Sequence, residues 1–337
     1  MATKPTAGKL AGLQAVSDAR GVIAAAAMDQ RGSLQKSIAA ARGGTASDKD
    51  LETFKVLVTE VLTRYASAIL MDPEYGLPAT KVRNDAGLLL AYEKTGYDAN
   101  TAGRLPDLLD HWSVRRLKEA GADCIKILLY YSPLEQTAIN DVKHAWVERI
   151  GDECLAHDIP FFLETVGYDV DGAGEKTLEY AKKKPVIVSG SMAEFGKTRY
   201  NVDVLKVEVP VEMSFVEGTA AYKGEKAYTR AEALEYFRDA EGMSDKPFIY
   251  LSAGVSNPVF IETLELAAES GTKFNGVLCG RATWKDGIDI YAKQGETPFR
   301  AWLETKGVEN IQNVNKALEA ATPWYTKFGA TSYDELR

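Results

Sequence analysis

Eight apolar runs of strand length recur along this chain, over residues 22–29, 66–72, 87–93, 124–131, 161–168, 204–209, 248–255 and 276–281. Between most of them lie segments whose apolar positions repeat at helical spacing: 53–66, 110–120, 139–157, 229–240 and 258–270. Gly121 and Gly271 stand just past two of these segments and Pro258 near the start of another, the usual end marks of a helix. Alternation of strand and helix dictates a parallel sheet, and about eight such units in one chain predict a (β/α)₈ TIM barrel. The predicted core runs over about 21–324, with extra N- and C-terminal helical segments, and one domain spans 1–337. The gap from 72 to 87 is too short for a full crossover helix and predicts a short or irregular one. Residues 169–200 are polar and rich in Gly and Lys in part; 175–184 reads as a helix and 186–188 as a further apolar patch. Helical patterns at 298–306 and 311–321 supply the last barrel helix and an extension. A doubly wound open sheet is the competing architecture, but it calls for a G-x-G-x-x-G turn after the first strand, and Asp29-Gln30-Arg31-Gly32 is not one.

Composition narrows the function. The 337 residues carry a formal net charge of −8, and no Lys/Arg block offers a nucleic-acid footprint. No run approaches the ~20 apolar residues of a membrane span, and residues 1–20 lack the apolar stretch of a signal peptide. Cys124, Cys154 and Cys279 are far apart and contain no C-x-x-C, which fits reduced core thiols in a cytoplasmic protein. Neither nucleic acid nor membrane is expected as a partner. A homo-oligomer of even order, dimer or tetramer, is the default expectation.

The chemistry sits where apolar runs end. In barrel enzymes the site forms at the C-terminal ends of the strands, and nearly every run here has a polar residue in its second half: Asp29, Asp72, Glu93, Lys126, Glu164, Lys206, Ser252 and Arg281. Singly, each has a plain structural reading. Asp29 or Asp72 suits a helix N-cap, and Glu93 reads as a surface residue because glutamate is rarely buried. Lys206 lies in Val204-Leu205-Lys206-Val207-Glu208-Val209, where alternation puts Leu205, Val207 and Val209 on one face and Lys206 and Glu208 on the other. A lysine inside an apolar strand is costly as a cation, and the neutral amine attacks carbonyl groups to form an imine. Ile125-Lys126-Ile127 repeats the arrangement, and Glu164 lies on the strand between the two lysines. In a barrel these three strands are consecutive, so the side chains can meet in one mouth. A second ammonium disfavours the charged form of a lysine nucleophile, and a carboxylate between them can move protons.

Two further features bear on substrate and cofactor. Leu251-Ser252-Ala253-Gly254-Val255 and Leu278-Cys279-Gly280-Arg281-Ala282 end the seventh and eighth runs, where barrels often bind phosphate through backbone N–H groups; Arg281 can add a bidentate clamp. The histidines, His111, His144 and His157, all fall in predicted helices and none lies at a strand end, so no metal site or other cofactor is expected.

These residues resemble one known family. Met28 to Gly32, Met71 to Ala79, Leu90 to Tyr97, Asp203 to Pro210, Leu251 to Val255 and Leu278 to Trp284 are similar to the class I tagatose 1,6-bisphosphate aldolases, from about Gly21 to Trp324. The match is loose only around 169–200. The resemblance implies a (β/α)₈ barrel and a metal-free mechanism with Lys206 as Schiff-base lysine, Glu164 as acid/base, and Asp29 and Lys126 as its polar companions. Gln30, Ser252, Gly280 and Arg281 match phosphate-holding positions, Gly254 belongs to the same loop, and Arg31 stands beside Gln30 as a second candidate. The implied reaction cleaves a ketose 1,6-bisphosphate, tagatose or fructose, into dihydroxyacetone phosphate and glyceraldehyde 3-phosphate. Those two substrates differ only at C4, and no sequence feature separates them. Two other readings are a related Schiff-base aldolase or transaldolase, for example on sulfofructose phosphate, and a non-catalytic sugar-phosphate sensor. A pure binder has no need of two buried lysines.

Overall fold

The computed structural model describes residues 4–94, 101–172 and 174–337. Eight parallel strands close into a barrel in chain order: β1 (Ile23–Met28), β2 (Ala68–Met71), β3 (Gly87–Ala91), β4 (Cys124–Tyr130), β5 (Phe161–Val166), β6 (Val204–Val207), β7 (Phe248–Leu251) and β8 (Gly276–Cys279). β8 returns to β1 with Ile23 opposite Gly276. All eight predicted strands are present, each ending a few residues short of its apolar run, and the architecture is the predicted (β/α)₈ barrel. Alternation sorts the side chains. Ala25, Ala27, Leu70, Leu89, Phe162, Val204, Ile249 and Leu278 pack together inside the barrel, while Met28, Met71, Leu205 and Val207 pack outward with the helices. Small β1 residues with bulky Phe162 and Ile249 among their partners fill the lumen as a packed core and not a pore.

The helices follow in order: α1 (Ala7–Ala15), α2 (Gly32–Arg42), α3 (Asp48–Leu62), α4 (Leu77–Thr80), α5 (Val114–Glu119), α6 (Thr137–Ala156), α7 (Leu178–Phe195), α8 (Arg230–Gly242) and α9 (Asn257–Glu269). Then come α10 (Arg281–Trp284), α11 (Ile288–Gln294), α12 (Glu296–Trp302) and α13 (Val308–Ala317). α4, four residues long, is the short helix of the second crossover. The N-terminal end of the barrel is sealed by α1 and the C-terminal segment, through Leu10, Leu13, Trp324 and Leu336. Lys9 fixes α1 to the barrel by pairing with Asp203 at 2.8 Å, and Asp203 also accepts the Phe161 N–H that opens β5. The bottom is thus closed, and the C-terminal mouth is the open end.

Several elements differ from the expectation. The helix predicted over 110–120 begins only at Val114, because the Ser113 side chain accepts from Arg116 N and caps it there; His111 lies in a turn before it. The short helix and separate apolar patch expected at 175–188 are one helix, α7, running straight through Pro185. Proline removes the N–H that would bond the carbonyl four residues back. That carbonyl, on Ala181, instead accepts the Tyr228 hydroxyl, so the break in the ladder is filled from outside the helix. α2, α10 and α11 have no counterpart in the predicted pattern; in α2 the buried residues are Leu34 and Ile38. In the motif from Leu90 to Tyr97, Thr95, Gly96 and Tyr97 lie outside the described residues.

Candidate active site

A cavity of about 1260 Å³ opens at the C-terminal mouth. Ten residues singled out as site candidates fall at or beneath it, and nine line it directly: Asp29, Gln30 and Arg31 after β1, Glu164 on β5, Lys206 on β6, Ser252 and Gly254 after β7, and Gly280 and Arg281 after β8. The tenth, Lys126, sits one layer deeper, wholly buried. The register explains the depth. Glu164 stands opposite Lys206 on β6 and opposite Leu128 on β4, so Lys126 points inward two residues below their level.

The centre is a charge cluster. Lys126 Nζ donates to Asp29 Oδ2 and Glu93 Oε1, each at 2.9 Å, and lies 2.7 Å from Glu164 Oε2. Lys206 Nζ lies 2.9 Å from that same Glu164 oxygen. One carboxylate therefore bridges both lysines. Glu93 corrects the surface reading: it is 3% exposed and is a direct partner of Lys126. The cause is visible in the alternation of β3, where Leu89 and Ala91 point into the barrel and Glu93, two residues on, continues their line.

Burial alone would drive the Lys126 proton off, but Asp29, Glu164 and Glu93 outweigh it and hold its pKa well above the usual lysine value. Burial likewise acts to raise Asp29, yet the Lys126 and Lys206 charges beside it hold its carboxyl well below the usual carboxylate range. Glu93 goes the other way: its burial dominates and its pKa is raised despite Lys126 and Arg31.

The phosphate candidates form a second group. β7 leads into a turn in which Ala253 (φ 48) and Gly254 (φ 75) are both left-handed. For Ala253 that conformation costs ~1–2 kcal/mol, and turns of this kind present successive backbone N–H groups to anions. At Gly254 the positive φ favours glycine, and a Cβ there would come within 2.7 Å of the Arg281 guanidinium carbon, so that exposed side chain would have to move. Lys285 Nζ holds the turn by donating to Gly254 O at 3.0 Å. Gly280 cannot gain a side chain, since its Cβ would meet Ala27 O at 2.8 Å. Ser252 is buried and Arg281 is exposed.

On the β1 side, Gln30 Oε1 is buried with no hydrogen-bond partner in the protein. Arg31 is 3% exposed, and its guanidinium is already engaged by Glu74 at 2.7 Å and by Glu93 O at 2.8 Å. Asp72 caps no helix. It is fully buried, pairs with Lys55 at 2.6 Å and accepts the N–H groups of Glu74 and Tyr75. Neither Lys55 nor Asp72 touches the cavity. The three cysteines are free and buried, and among the described residues no group of three His, Cys, Asp or Glu is placed to hold a metal ion. No helix among them is long and apolar enough to cross a membrane.

A closed barrel with an inward lysine–carboxylate–lysine cluster at its open end and a left-handed turn beside it is an arrangement that suits an enzyme of the aldolase class. The chain belongs to the DeoC/LacD aldolase family: the profile described as "DeoC/LacD family aldolase" matches residues 23–286. It is an aldolase, a carbon–carbon lyase. It is 55% identical over 327 residues to the "Tagatose 1,6-diphosphate aldolase" of Listeria monocytogenes serotype 4a (strain HCC23), covering 96% of each chain. It is 56% identical over 324 residues to "Tagatose 1,6-diphosphate aldolase 2" of Enterococcus faecalis, covering 96% of this chain and 97% of that one. Among solved structures, fructose-bisphosphate aldolase from Plasmodium falciparum superimposes with a TM-score of 0.71 at 14% identity, over 95% of this chain and 97% of that one, a likeness of fold alone.

Proposed function

We propose that this aldolase cleaves D-tagatose 1,6-bisphosphate, and also fructose 1,6-bisphosphate, to dihydroxyacetone phosphate and glyceraldehyde 3-phosphate through an imine on Lys206. The observation that carries the reading is the single Glu164 oxygen held 2.7 Å from Lys126 and 2.9 Å from Lys206. The names of the relatives support the choice of substrate.

In this mechanism the Lys206 amine attacks the C2 ketone, and loss of water gives a protonated imine that accepts electrons from the breaking C3–C4 bond. Glu164, aided by Asp29, takes the C4 hydroxyl proton. Glyceraldehyde 3-phosphate leaves, the enamine is protonated at C3, and water releases dihydroxyacetone phosphate. Lys126 remains an ammonium throughout, orienting Glu164 and Asp29 from beneath the cavity. Arg281, Ser252 and the Gly254 and Gly280 backbones hold one phosphate; Gln30, with Arg31 behind it, serves the other. Phosphate contacts far from the reacting carbons lower the barrier by fixing its position.

Two results are expected. Either bisphosphate should yield both triose phosphates, and turnover should be unchanged after dialysis against EDTA. A loss restored by added zinc would replace the imine with a metal-dependent route. Arg281→Ala should weaken binding of phosphorylated ketoses by ~1.5–3 kcal/mol, the range for hydrogen bonds to a charged group at a site water can reach, and leave dihydroxyacetone nearly unaffected. Titration of both ligands checks this; equal losses would assign Arg281 to the fold. We further propose a cytoplasmic homo-oligomer, dimer or tetramer, acting without metal, nucleic acid or membrane.

A further inference from the structure

Lys55 is a buried cation outside the catalytic cluster. It projects from α3 and is 0% exposed. Its Nζ donates to Met28 O at 2.6 Å and to Gln30 O at 2.8 Å, and forms an ion pair with Asp72 Oδ2 at 2.6 Å. The two carbonyls bracket Asp29. β1 ends at Met28 and α2 starts at Gly32, so only residues 29–31 carry the chain from strand to helix. That turn aims Asp29 at Lys126 and Gln30 at the cavity. Its far end is tied as well: Arg31 reaches Glu93 O, and Glu93 returns to Lys126.

We infer that Lys55 is a positioning residue of this aldolase: by binding the carbonyls on both sides of Asp29 it sets the direction of the Asp29 carboxylate, and Asp72 holds Lys55 in place. The role differs from that of an ordinary buried ion pair. An ion pair that served only the fold would need Asp72 alone, whereas both Lys55 hydrogen bonds go to the carbonyls that flank Asp29. A tetrahedral ammonium suits three divergent acceptors, and a planar guanidinium does not. The inference rests on the proposed role of Asp29 beside Lys126 and Glu164.

The test is steady-state cleavage by Lys55→Met/Asp72→Asn, which removes the buried pair without leaving a lone charge, measured against Val58→Ala, a core truncation on the same helix. Both are assayed well below their melting temperatures. The double variant is expected to lose about 100-fold in kcat, the scale of a ~1 Å misplacement of a catalytic group. KM should stay within about threefold, since no substrate contact is removed. Val58→Ala should retain kcat despite its lowered melting temperature. Equal kcat for the two variants, or a loss confined to KM, would overturn the inference. If the double variant does not fold, Lys55→Arg decides. It keeps the charge against Asp72 but displaces the turn, so it should fold and still lose kcat at least about tenfold; full kcat would overturn the inference. Borohydride trapping with dihydroxyacetone phosphate separates this from the imine reading. Failure to trap the unmodified enzyme counts against the imine, and intact trapping with unchanged kcat in the variants counts against Lys55.

Discussion

Lys206→Ala is expected to abolish covalent trapping by borohydride and to lower turnover by ~10⁴-fold or more, because among the described residues Lys206 is the lysine that both lines the cavity and pairs with Glu164. The fold should survive. Glu164 keeps Lys126 at 2.7 Å, so removing Lys206 strands no buried carboxylate. Lys206→Arg sharpens the result. It preserves a cation beside Glu164 yet cannot form an imine, so it should be as inactive as the alanine variant. Activity surviving in the arginine variant would mean that Lys206 contributes charge and not a covalent bond. The measurement is kcat for bisphosphate cleavage, with mass detection of the reduced adduct.

Lys126→Met is expected to damage both stability and turnover. It leaves Asp29, Glu93 and Glu164 crowded in the barrel, with Lys206, Arg31 and Lys55 as the cations that act on them. Breaking a buried ion pair from one side costs ~3–5 kcal/mol. Turnover should fall by ~10²–10³-fold, since the group that orients Glu164 and Asp29 is gone. A second substitution identifies the cause. Adding Glu93→Gln removes the carboxylate that burial already pushes toward its protonated form, so part of the lost stability should return while turnover stays low. Urea unfolding of the single and double variants measures the first effect and steady-state kinetics the second. No recovery of stability in the double variant would mean that the charge balance is not what Lys126 maintains.

These outcomes also mark what a sequence can carry. The eight strands were legible because each is a compact apolar run bounded by polar residues, and the inward line of Lys126, Glu164 and Lys206 followed from alternation. Glu93 was within reach of the same rule, since Leu89, Ala91 and Glu93 share a face; its residue type argued for the surface, and the demand of a buried lysine for carboxylates decided otherwise. α7 was hidden by Pro185, whose missing N–H is made good by a hydroxyl 43 positions further along the chain, on Tyr228. Lys55 was illegible for a similar reason. On α3 it reads as one more helical lysine, and its acceptors come from β1 and β2, brought to it only by closure of the barrel. Arg31 stands beside Gln30 in sequence, but Glu74 and the Glu93 carbonyl claim its guanidinium in space.

The central claim is that Lys206, and not Lys126, carries the covalent intermediate. Incubating the enzyme with dihydroxyacetone phosphate and borohydride, then mapping the modified peptide by mass, tests it most directly. The account predicts one reduced adduct per chain on the peptide containing Lys206. An adduct on Lys126, or none at all from an active enzyme, would contradict it.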